Sequence, residues 1–80
     1  MNEIKELFVN MTTDDLLKAV EEIKESDETG VLCDGIVREY TRKTAVITGI
    51  GNGDWFMTVI NILKEAAFRW SDLVNNLNDM

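Results

Sequence analysis

The chain has 80 residues, a net charge of −7, one cysteine and neither histidine nor proline. An internal disulfide and a Cys/His zinc site are therefore excluded, and the acidity argues against direct nucleic-acid binding, which needs clustered cations to displace counterions. A domain this short buries only about 60–65% of its unfolded surface, so its stability margin is thin and oligomerisation is the remedy left to it.

In chain order, Ile4, Leu7 and Phe8 are spaced for a short helix that Asn10 to Thr13 interrupt. Thr12-Thr13-Asp14-Asp15 is a helix start, with a hydroxyl to accept an orphan amide and two carboxylates suited to the positive end of the dipole. Leu16, Ala19, Val20 and Ile23 then line one face, with Leu17 at its edge, while Glu21, Glu22 and Glu25 face water. Ser26 to Gly30 end this helix, Gly30 being the natural left-handed cap. Glu21, Glu22, Glu25, Asp27 and Glu28 make the densest acidic surface.

Residues 31–50 allow two readings. Asp34-Gly35 between Val31-Leu32-Cys33 and Ile36-Val37 is a hairpin signal, which would make the fold α+β. Alternation fails, however, since Ile36, Arg38, Tyr40 and Arg42 would share one strand face and Val37, Glu39, Thr41 and Lys43 the other. Read as a helix, Ile36, Val37, Tyr40, Thr44 and Ile47 group together, with Asp34 as N-cap and Gly35 in the first turn. The helix is favoured. Cys33, in an apolar run with no imidazole to activate it, reads as a small core residue.

Gly49 to Gly53 form a flexible break, and Asp54 caps a long final helix through Leu77. Phe56, Val59, Ile60, Leu63, Ala67, Trp70, Val74 and Leu77 recur at three- and four-residue spacing and predict its packed face. Trp55, Ile62, Ala66 and Leu73 widen that face on one flank, whereas Met57 and Phe68 fall outside it among polar residues. So much apolar surface on one helix predicts a second packing partner. The residues assigned to it are Trp55, Met57, Ile62, Phe68, Trp70, Leu73 and Leu77.

These elements predict one all-α domain over residues 1–80, a bundle of three or four helices with a long C-terminal helix. The glycine run before that helix superficially resembles a dinucleotide-binding turn, but no second strand can follow, and Asp54 sits where phosphate would lie. Val31 and Leu32 break any calcium-loop pattern around Asp27 to Asp34. No cofactor, metal or catalytic residue is expected, and the chain reads as a non-enzyme. No segment is apolar enough to span a membrane, and the charged start, Met1 to Glu6, gives no signal peptide. With a reduced thiol, that points to the cytoplasm.

The function expected first is a small acidic interaction module that self-associates through its C-terminal helix, with a dimer favoured. A second expectation is an acidic inhibitor, mimicking nucleic acid, that occupies a basic surface of another protein. The weakest is a helix-turn-helix DNA binder built on Arg38, Arg42 and Lys43, cations that could equally pair with the acidic first half.

Overall fold

The computed structural model describes residues 3–32, 34–49, 51 and 53–78. Four helices follow one another, α1 (Glu3–Val9), α2 (Thr13–Thr29), α3 (Ile36–Thr48) and α4 (Trp55–Asn78). Among the described residues there is no strand, so the fold is the all-α bundle with a long last helix. Asp34-Gly35 leads into α3 and closes no hairpin. Cys33, expected in the core, lies outside the described residues.

Local chemistry sets most of the boundaries. The Thr12 hydroxyl accepts the Asp15 amide at 3.1 Å and starts α2. Gly30 and Gly49 end α2 and α3 in the left-handed region, their amides donating to Ser26 and Ala45. Asp54 Oδ1 accepts the Met57 amide at 3.1 Å and caps α4. Gly53 is required twice over: its φ is +84°, and a Cβ there would run into the Thr41 carbonyl of α3.

The core is small. Phe8 of α1, Leu16 and Ala19 of α2, Val37 and Tyr40 of α3, and Ile62 of α4 meet there, with Met11 from the α1–α2 turn. Phe8 and Tyr40 pack with ring centroids 5.7 Å apart. Met11 is an addition to the sequence expectation, which placed it in an interruption; the turn folds inward and buries it. Ile47, grouped with the α3 core face by periodicity, is exposed at the end of that helix.

α4 docks on the bundle through the flank of the predicted apolar face and not through its centre. Thr58 and Ile62 are wholly buried, and Trp55, Val59 and Ala66 pack against the core beside them. Phe56, Ile60, Leu63, Ala67, Trp70 and Leu77, expected to form the packed face, are exposed instead. The physical reason is size and satisfied polarity. Thr58 and Ala66 let the helix come close, and Thr58 hides its hydroxyl by donating to its own Asp54 carbonyl at 2.9 Å. That carbonyl also takes the Thr58 amide at 3.1 Å, so Thr58→Val strands no acceptor. Thr58→Val is expected to change stability by less than about 1 kcal/mol in chemical denaturation, and a loss above about 2 kcal/mol would show that the hydroxyl has a further role.

Two charged side chains close helix ends from a distance. Glu22 of α2 accepts the Ile36 and Val37 amides at 3.0 and 3.1 Å, capping α3. Glu22 therefore does not stand in water as expected, and Asp34 is not the cap; Gly35 holds that position without a side chain. Arg69 of α4 donates to the Val9 and Met11 carbonyls at 3.2 and 2.6 Å, where α1 ends. Each charge has the sign that complements the helix dipole it meets.

Candidate functional site

Phe56, Ile60, Leu63, Ala67, Trp70, Val74 and Leu77 alternate in steps of four and three, the repeat of a coiled-coil seam. At 3.6 residues per turn they centre roughly 110° around the helix from the Ile62 line that docks on the bundle. The bundle therefore leaves them open: Phe56 is 76% exposed and Trp70 66%, and only Val74 is half-buried. Both carboxylates within α4, Glu65 and Asp72, lie away from this stripe at the outermost position of the repeat. Lys64 is the one charge at its margin, although the chain holds fifteen acidic residues.

The total accessible surface measures the imbalance. It is 5791 Å², whereas a compact monomer of this mass exposes roughly 4,900 Å². The radius of gyration is 13.6 Å and the molecule spans 47 Å by 17 Å at its extremes, against a radius near 12 Å for a compact 80-residue domain. Beyond Arg69 the last turns of α4 present Trp70, Leu73 and Leu77 outward. These exposed apolar residues are more than the scattered single ones a folded surface ordinarily carries.

The partner residues expected from the sequence divide. Trp70 and Leu77 stand on the stripe and Leu73 adjoins it, all three exposed. Ile62 is buried inside the bundle and is not free to meet a partner; Trp55 packs against the same core. Met57 is half-buried, and Phe68 is exposed on the side away from the stripe. Phe56, Ile60, Leu63, Ala67 and Val74 were not on that expected list, although their four-three alternation was there to be read. At the Phe56 end a notch of about 210 Å³ adjoins the stripe, lined by Ile23, Ser26, Asp27, Leu32, Trp55, Phe56 and Val59.

The other candidates gather less. Glu21, Glu25, Asp27 and Glu28 are exposed along α2, while Glu22 is committed to α3. Two of the three α3 cations pair within their own segment, Arg38 with Asp34 at 3.4 Å and Lys43 with Glu39 at 3.8 Å. Lys43 also stands 4.5 Å above the ring of the buried Tyr40. An open groove of about 860 Å³ passes Arg38, Arg42, Val46, Gly53 and Trp55. The buried Thr41 hydroxyl beside it already donates to the Val37 carbonyl. Among the described residues, no cluster of three or more Asp, Glu, Cys or His side chains is placed to hold a metal, and no helix is long and apolar enough to cross a membrane. Comparison with protein-family models, curated proteins and solved structures finds no match to this chain.

Proposed function

We propose that this chain is a non-enzymatic helical interaction module that works as a homodimer, with the open stripe of α4 as its interface. The observation that carries the reading is the heptad of exposed apolar residues that the chain's own bundle leaves uncovered. Two quantities support a second copy as the occupant. The surface in excess of a compact monomer is roughly 900 Å², close to the ~800 Å² that each partner contributes to a standard dimer. Within α4 the stripe and its flanking positions carry no carboxylate, and apart from Asp27 of α2 at the notch beside Phe56 a basic partner would find little to pair with, whereas an identical apolar stripe would.

Sedimentation equilibrium tests the reading. The unsubstituted chain is expected to be dimeric at tens of micromolar and to tighten with added salt, which screens the repulsion between two copies of charge −7. Ile60→Lys with Trp70→Lys is expected to give a monomer whose helical circular dichroism is unchanged, because neither side chain supports the core. An unchanged mass for that variant, or a monomeric parent at several hundred micromolar, would remove the stripe as a self-association surface.

A further inference from the structure

We infer that the two α4 helices of the dimer run antiparallel, with Ala67 of each copy set against Trp70 of the other. The inference rests on the self-association reading and adds the geometry by which the second copy completes the stripe.

The distribution of bulk along the seam favours this direction. In a parallel, in-register pair each residue meets its own counterpart. Trp70 would then face the partner's Trp70 in an overfilled layer, next to a layer in which two Ala67 methyls leave a void. Overpacked and hollow layers each cost stability, and core layers pack best when large faces small. Reversing one helix lets first-type and fourth-type heptad positions share layers. Ala67 then faces the partner's Trp70, Leu63 the partner's Val74, and Ile60 the partner's Leu77. Each layer combines a larger and a smaller or two medium side chains. A shift by one heptad would leave Leu77 opposite Gly53, with no side chain to meet, and would seat Phe56 against Val74, whereas the inferred register seats Leu77 against Ile60 and leaves Phe56 outside the paired layers.

The placement of the bundle on α4 makes the same choice. Helices α1 to α3 support α4 only as far as Arg69, whose guanidinium makes the last polar ties to the α1–α2 turn. From Trp70 to Asn78 the helix extends another ~13 Å with Trp70, Leu73 and Leu77 exposed. In a parallel dimer the two unsupported ends lie together and are covered only by each other. In the antiparallel one each end lies along the supported part of its partner, where Leu63 and Ile60 are already held. Antiparallel helix dipoles attract, and the two acidic α2 helices, carrying Glu21, Glu25 and Glu28, come to opposite ends of the seam.

Directed disulfide formation tests it. In a Cys33→Ser background, Leu63→Cys and Val74→Cys are made in separate chains, one enlarged by a tag so that mixed and like pairs differ in mass. After mixing and re-equilibration the chains are oxidised. The mixed 63–74 disulfide is expected to dominate, with each like pair near background. Ile60→Cys with Leu77→Cys provides a second pair in the same register, and helical circular dichroism checks that each variant folds. Dominant 63–63 and 74–74 products would overturn the orientation and leave the self-association reading standing. A parent that sediments as a dimer but yields neither product would overturn this register. A parent that sediments as a monomer would remove the interface and its orientation together.

Discussion

Arg69→Met is expected to cost about 3–4 kcal/mol, a large share of the ~4–12 kcal/mol that an 80-residue domain has to lose. The guanidinium holds three things at once. Its Nε donates to Glu65 at 2.8 Å, and one terminal nitrogen reaches the Met11 carbonyl at 2.6 Å and that of Val9 at 3.2 Å. The α1 helix has seven residues and no basic residue in its last turn, too short to persist by itself. Its final carbonyls find their charged donor roughly sixty residues away. Removing the guanidinium leaves those carbonyls without it, and leaves Glu65, whose side chain is only 13% exposed, without its cation. Arg69→Lys keeps the charge but not the planar fork, so it is expected to recover less than half of the loss. The measurement is urea denaturation of each variant under conditions where the chain is monomeric, followed by both circular dichroism and the Tyr40 and tryptophan fluorescence. A loss below about 1 kcal/mol for Arg69→Met would mean that water serves α1 as well as the guanidinium does.

Local rules were legible in the sequence, and ties between distant segments were not. Thr12, Gly30 and Asp54 act within a few residues of themselves, and each was identified as a cap because the spacing rules are local. Glu22 and Arg69 belong to no such rule. They act across 14 and about 60 positions, and in one dimension each resembles a charge on a wet face. The same limit explains the exchange of faces on α4. Periodicity finds the most hydrophobic stripe of a helix, and on α4 that stripe is the open one. The docking face contains Thr58 and Arg69, which hydropathy counts as polar although both are satisfied by hydrogen bonds in the bundle. The surplus of apolar surface was thus readable, with Phe68, Trp70, Leu73 and Leu77 all exposed, while its extension over Phe56, Ile60 and Leu63 required the packing of the other three helices. The two distant caps bear on the open stripe as well. By fixing α4 and α3 with charge and small residues, the bundle spends few of its large apolar side chains on α4. Phe56, Leu63 and Trp70 are left exposed.

Glu22 and Gly35 are expected to behave as one unit in a double-mutant cycle. The Glu22 carboxylate sits where a Cβ on Gly35 would lie, 2.5 Å from its Oε2. A Cβ at Gly35 would collide with that carboxylate, so glycine is needed there for room. Glu22→Ala removes two charge-assisted bonds to the first amides of α3 and is expected to cost about 2 kcal/mol. Gly35→Ala displaces the same carboxylate and is expected to cost about as much, since the side chain loses its seat and the methyl crowds the turn. Once the carboxylate is gone the methyl has space. The double substitution is therefore expected to cost about 2 kcal/mol in total, not 4, giving a coupling near 2 kcal/mol. Equilibrium denaturation of the four chains measures it, with the start of α3 followed by amide hydrogen exchange at Ile36 and Val37. Strict additivity would show that Gly35 and Glu22 serve α3 separately. Strong coupling would show that the sequence places a glycine at the α3 cap so that an acidic residue of α2 can do the capping.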